Sequence, residues 1–163
     1  MLLLKFSLLF ICLVFISPIL AEENLYDRGK ELVDQKEYQK AVKAFEFASK
    51  AGNLDAMTAL GVMHIGGIGV KQDNTKGYNY IKKAADKSDP KAQYTLGALY
   101  YLGAGVEKDY KKAFKWLNLS SEQNYTDAKY NLGVMYEFGE GVDQSYEKAY
   151  EYYLFAARRD NLE

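Results

Sequence analysis

The sequence predicts an all-α fold, an α/α superhelical solenoid of about four helical hairpins. Three observations predict it. First, a framework returns every 36 residues: Ala56, Ala92 and Ala128 are followed four residues on by Leu60, Leu96 and Leu132, and then at once by Gly61, Gly97 and Gly133. A fixed period of this length marks stacked repeats, in which no single unit can bury its own apolar face. Second, each period holds two runs with apolar residues at helical spacing. Third, the two runs are separated each time by a short glycine loop ending in valine: Gly67-Ile-Gly69-Val70, Gly103-Ala-Gly105-Val106 and Gly139-Glu-Gly141-Val142.

Residues 1–21 stand apart from that framework. One early cation, Lys5, precedes an apolar run from Phe6 to Ile16; Pro18 and the small Ala21 follow, and the chain turns polar at Glu22. This order predicts a secretory signal peptide and an exported, periplasmic protein. The alternative is an uncleaved anchor facing the periplasm, because Met1 to Leu20 nearly suffices to span a bilayer. The only cysteine, Cys12, lies inside the segment, so the mature chain has no disulfide and no thiol nucleophile. Without Lys5 the balance is 20 cations against 22 anions, a net charge near −2. Such a surface gives no reason to expect nucleic acid or an anionic membrane as partner.

Residues 22–52 carry a shorter hairpin, with Gly29, Leu32, Tyr38, Ala41, Phe45 and Ala48 in the repeating places but no glycine loop. Residues 53–163 carry three full units. In the first helix of each, the alanine and leucine columns share one face with His64, Tyr100 and Tyr136. The glycine column beside them costs about 1 kcal/mol of helix propensity against alanine, which close approach of the partner helix would explain. The second helix repeats a stripe of small and aromatic residues. Ala113, Trp116, Leu117, Ser120 and Ser121 correspond to Gly77, Tyr80, Ile81, Ala84 and Ala85, and to Ala149, Tyr152, Tyr153, Ala156 and Ala157. Asn53, Asp89 (before Pro90) and Thr126 are placed to start the first helices, and Asp73, Asp109 and Ser145 to cap the second. The loops follow a helix and lack a Gly-Lys-Ser/Thr ending, so they do not read as phosphate loops. Their first glycine fits a helix C-terminus with positive φ, and their valine an inward plug.

These columns together, A-x-x-x-L-G-x-x-Y-x-x-G-x-G-V and then D-x-x-K-A-x-x-W/Y, resemble the Sel1-like repeat, a relative of the tetratricopeptide repeat. The resemblance covers residues 53–160, with a tetratricopeptide-like unit before them, and implies eight helices in a right-handed superhelix. Departures are His64 for tyrosine, Gly77 for alanine, Ser145 for aspartate, and Ser120 and Ser121 for alanines. It also implies a concave surface made by the first helices, with outward positions one before the column alanine and two, six and nine after it. Those columns hold Tyr26, Thr58, Tyr94 and Tyr130; Lys30, Val62, Ala98 and Val134; and Val33, Ile65, Tyr101 and Glu137. From them we expect a partner-binding ladder of Tyr26, Val62, Ile65, Tyr94, Tyr101, Tyr130, Val134 and Glu137, since tyrosine gives large contact area at small rotamer cost. The bland alternative is that the tyrosines pack between neighbouring helices and stiffen the stack.

No chemistry competes strongly with binding. His64 sits in a packed column, Trp116 shares its column with Tyr80 and Tyr152, and no second histidine, mature cysteine or recurring acid cluster offers a metal site. No catalytic residue, cofactor or metal is expected. Some cysteine-rich relatives in the Sel1-like class are linked to β-lactams, but the mature chain has no cysteine to carry that over. A small hydrolase of cell-wall or β-lactam substrates is therefore the alternative reading. The leading one is a protein-binding scaffold, either an envelope adaptor or an immunity-type inhibitor of a toxic effector. The aromatic last helix, with Tyr150, Tyr152, Tyr153 and Phe155, adds an expectation of self-association through the C-terminal hairpin. Asn118 and Asn124 head glycosylation sequons that matter only in a eukaryotic secretory route.

Overall fold

The computed structural model of the protein describes residues 25–160, and residues 1–21, the expected signal peptide, lie outside them. Eight helices and no strand are found among the described residues. They are α1 (25–34), α2 (Tyr38–Ala51), α3 (Leu54–Gly66), α4 (Asn74–Asp86), α5 (Pro90–Leu102), α6 (Tyr110–Glu122), α7 (Thr126–Phe138) and α8 (Tyr146–Asp160). Each helix from α2 onward packs on the next in chain order, and α3 also touches α5. The result is the expected superhelical stack of four hairpins.

The helix boundaries follow the capping chemistry. Asn53 and Asp89 accept hydrogen bonds from the backbone N–H of Ala56 and Ala92, at 2.8 and 2.6 Å, and Asp73 and Asp109 do the same for Lys76 and Lys112. Ser145 caps α8 through the Lys148 N–H at 3.3 Å. At α7 the cap position falls to Tyr125, which makes no side-chain cap, and Thr126 is the first helical residue. Replacing Asp89 by alanine is expected to lower stability by about 1 kcal/mol in urea unfolding, because an N–H of α5 then loses its acceptor.

The apolar core lies between the hairpins as much as within them. Leu32, Val42 and Phe45 of the first hairpin join Leu60 and Met63 of α3; Ile81, Ala84 and Ala85 of α4 join Leu96 and Leu99 of α5; Ala113 and Leu117 of α6 join Leu132 and Met135 of α7. The loop valines are plugs as expected, Val70, Val106 and Val142 each packing on one of these three clusters.

The glycine column marks the closest approach within a hairpin. A Cβ at Gly61 would stand 2.8 Å from the Gly77 carbonyl oxygen, and one at Gly97 would stand 2.7 Å from Leu117 Cγ. The second loop glycine has another task, tying each unit to the one before it. Gly69, Gly105 and Gly141 (φ 71°, 74° and 78°) lie against Tyr38, Asn74 and Tyr110, the first residues of α2, α4 and α6. A side chain there would meet both the unfavourable left-handed backbone and the preceding unit.

Candidate protein-binding face

The odd-numbered helices line up on one side of the stack, and their outward columns make its candidate surface. A groove of about 870 Å³ runs across α1, α3 and α5 on this side. Val33, Val62, Met63 and Ile68 give it an apolar lining, with Tyr26 and Lys91 beside them. Val62 is the most open of these apolar groups, at 44 % exposed. The Tyr26 ring rests on Phe45 at 5.8 Å between centroids, and the Lys30 ammonium lies 5.0 Å from its centre.

The column one before the alanine ties the face together. Lys91 on α5 reaches back to Asp55 on α3 at 3.2 Å and to the Tyr26 hydroxyl on α1 at 3.5 Å. Burial disfavours the Lys91 charge, but Tyr26 and Asp55 outweigh it and hold its pKa above the ordinary lysine value. Three successive units are thereby linked by one side chain.

The expected ladder divides into four groups. Tyr26 and Val62 line the groove. Tyr94 and Tyr130 stand in the same column as Tyr26 but pack on rings, Tyr94 on Tyr125 at 5.2 Å and Tyr130 on Tyr153 at 5.3 Å; Tyr130 stays 53 % exposed. Val134 is half-buried on α7. The remaining column turns toward neighbouring elements. Ile65 lies against Gly77 of α4, Tyr101 packs on Tyr110 and donates to Glu140 at 2.5 Å, and Glu137 accepts from Tyr153 at 2.6 Å. Burial and then the Glu140 bond push the Tyr101 hydroxyl up to about 12. These contacts bring Tyr101, Tyr130, Tyr153, Glu137 and Glu140 to the α7–α8 end, away from the groove. Met63, Ile68 and Lys91 are groove residues that the ladder did not contain. Lys91 was reachable from its offset; Ile68 sits in a loop, where helical periodicity places nothing.

His64 is buried, 5 % exposed, and stacks on Tyr80 at 5.9 Å with an interplanar angle of 9°. Neither of its ring nitrogens has a hydrogen-bond partner among the described residues. Burial, helped by Lys76 and opposed by Asp73, Glu46 and the Lys71 backbone, holds its pKa below the ordinary histidine value. A base with a depressed folded pKa binds fewer protons folded than unfolded, so its contribution to stability is present above the unfolded value of about 6.5 and is lost as pH falls. Urea midpoints measured on either side of that value should drop more in the parent than in His64→Phe. Equal drops would mean that the imidazole is not protonated in concert with unfolding.

Among the described residues no group of three or more His, Cys, Asp or Glu is placed to hold a metal ion, and no helix is long and apolar enough to cross a membrane. The Sel1 repeat family model matches residues 20–55, 54–89, 90–125 and 126–161. Among solved structures, the chain is similar to a Sel1 repeat protein from Oxalobacter formigenes, with 35 % identity and a TM-score of 0.74 over 82 % of this chain and 54 % of that one. It is similar too to a protective antigen of uropathogenic Escherichia coli strains with an SLR fold, at 32 % identity and a TM-score of 0.77, over 85 % of this chain and 30 % of that one. Cysteine-rich protein B of Helicobacter pylori shares the fold, at 22 % identity and a TM-score of 0.53 over 82 % of this chain and 89 % of that one. The chain thus spans about half the length of the first of these proteins and less than a third of the second. A comparison with curated proteins gives no match. Four matched units in sequence, carried by four hairpins with shared columns, place this chain in the Sel1 repeat family.

Proposed function

We propose that this protein is an exported, non-enzymatic scaffold that binds a segment of a partner protein in the groove across α1, α3 and α5. The observation that carries the reading is the groove itself: an open apolar lining with Val62 at its surface and the Lys91 bridge beside it. An apolar side chain of a partner would exclude water there, while Tyr26, Lys30 and Asp34 offer polar contacts along the edge. A repeat scaffold of the Sel1 class suits this role, since stacked units present a continuous surface rather than a closed catalytic pocket. Export rests on the order of residues 1–21. The hydrolase reading has little to build on, because the only histidine of the chain, His64, is packed in the core.

A photoreactive phenylalanine analogue placed at residue 62, and separately at residue 47, tests the site. Phe47 is 60 % exposed on α2, outside the groove. A single partner crosslinked from position 62 but not from 47, whose capture is lost in the folded Val62→Glu variant, is the expected result. Equal crosslinking from both positions, or capture unchanged by Val62→Glu, would remove the groove from consideration. The identity of the partner separates the two roles that share this physics. A toxic enzyme silenced in a stoichiometric complex means an immunity protein, and a member of an envelope assembly means an adaptor.

A further inference from the structure

Each hairpin reverses the chain, so the odd helices run in one direction and the groove across them has two ends of different character. Toward the end where these helices begin, two cations line the groove, and both are answered within the chain. Lys30 leans back on Asp27 at 2.7 Å and stands 5.0 Å from the centre of the Tyr26 ring. Lys91 meets Asp55 at 3.2 Å and the Tyr26 hydroxyl at 3.5 Å. The hydroxyls nearby are engaged as well, Thr58 donating to the Leu54 carbonyl at 3.1 Å and Thr95 to the Lys91 carbonyl at 2.7 Å.

The other end has the opposite balance. Asp34 closes α1, Gly67 is the C-cap of α3, and both line the groove. The aligned peptide dipoles of a helix leave about half a negative charge at its C-terminus. Two such ends and a carboxylate therefore meet in one place, and among the described residues no cation is paired with them. The last turn of α1, Glu31 to Asp34, holds no base. The only base in the last turn of α3 is His64, which is buried and stacked on Tyr80. Neither Lys36 nor Lys71, the next cations along the chain, lines the groove, and Asp34 has no ion-pair or hydrogen-bond partner among the described residues. Val33 and Ile68, the chain neighbours of Asp34 and Gly67, give the same stretch an apolar lining.

We propose that the groove takes a partner segment in which a lysine or arginine stands beside an apolar side chain, the apolar group lying over Val62 and the cation pairing with Asp34 at the C-terminal ends of α1 and α3. This rests on the groove being the binding site, as proposed above. The long stem of either base suits the place, because its methylenes cover Val33 and Ile68 while the charge reaches the carboxylate. A carboxylate on the partner would be repelled by Asp34, and the two lysines lining the other end are already paired.

Selection of phage-displayed random peptides of about twelve residues, about 40 Å when extended, on the purified protein tests it. A selected peptide is then synthesised with a fluorescent label and its affinity read by anisotropy. The expected result is a shared apolar residue beside a lysine or arginine, with binding weakened at least about fivefold in Asp34→Lys. Replacing the base of the peptide by glutamate should weaken binding to the parent protein and restore it to Asp34→Lys, a reversal that a merely destabilised variant would not show. Asp34 is exposed at a helix C-terminus, where lysine is favourable, and circular dichroism checks that the variant keeps its helix content. Val62→Gln, which adds no charge, tests the apolar contact separately. Peptides that lose affinity in Val62→Gln but are acidic, or are indifferent to Asp34→Lys, would overturn the basic partner and leave the groove as the binding site. Peptides indifferent to Val62→Gln, or none selected at all, would overturn the groove reading and the basic partner with it.

Discussion

Leu96→Ala is expected to lower the free energy of unfolding by about 3 kcal/mol. Leu96 is fully buried in the joint where Ile81, Ala84 and Ala85 of α4 meet α5. Truncation removes its methyl groups and leaves a void between two hairpins, where helices spaced by other contacts cannot simply close the gap. With a urea m-value of about 2 kcal/mol/M, the unfolding midpoint should fall by about 1.5 M. Leu102→Ala provides the contrast. Leu102 ends the same helix but is largely exposed, so its loss should stay within about 0.5 kcal/mol. A similar loss for both leucines would contradict the burial pattern.

Gly61→Val should cost about as much as the leucine truncation, for the opposite reason. A Cβ at Gly61 would approach the Gly77 carbonyl at 2.8 Å, and one at Gly77 would approach the Gly61 carbonyl at 2.6 Å. Two backbones touch at this crossing, and no side-chain rotation relieves the overlap. Overpacking of this kind costs about 1–3 kcal/mol, and valine's branched Cβ places it toward the upper end. Gly61→Ala should lose less, because alanine gains about 1 kcal/mol of helix propensity over glycine. Urea unfolding of the pair, together with Gly77→Ala, checks the order. Gly77→Ala is expected to destabilise even though Ala113 and Ala149 occupy the same column in other hairpins. A stabilising effect of either alanine would show that α3 and α4 can separate at little cost.

That crossing also explains which features the sequence disclosed. The leucine and glycine columns, the valine plugs and most caps answer to local packing rules that this chain states three times over, so each was legible without coordinates. Ile65 was not. Its offset from Ala56 implied an outward position, but Gly77 stands where other hairpins have alanine, and Ile65 lies half-buried against it. Tyr101 and Glu137, in the same column, are drawn aside by hydroxyl–carboxylate bonds to Glu140 and Tyr153. Such bonds depend on which residues stand one unit away, and no periodicity encodes them. The groove was half legible for a related reason. Tyr26 and Val62 lie on helix faces, but Ile68 enters from a loop, and the part played by Lys91 depends on acceptors in two other units.

The second loop glycine gives each unit a joint whose two halves it carries itself: a bare Cα at the tip of one loop and a bearing surface at the start of its own even helix. Tyr38, Asn74 and Tyr110 all serve as that surface, so the joint is indifferent to the residue beneath it. The length of the protein is in this sense adjustable. A second copy of residues 90–125 inserted ahead of Thr126 would set its own Gly105 on the first copy's Tyr110, as Gly141 sits there now, and would in turn offer its own Tyr110 to Gly141. Growth by duplication then reuses a loop joint already present, and the odd-helix face lengthens by one rung while the groove at the other end is left as it was.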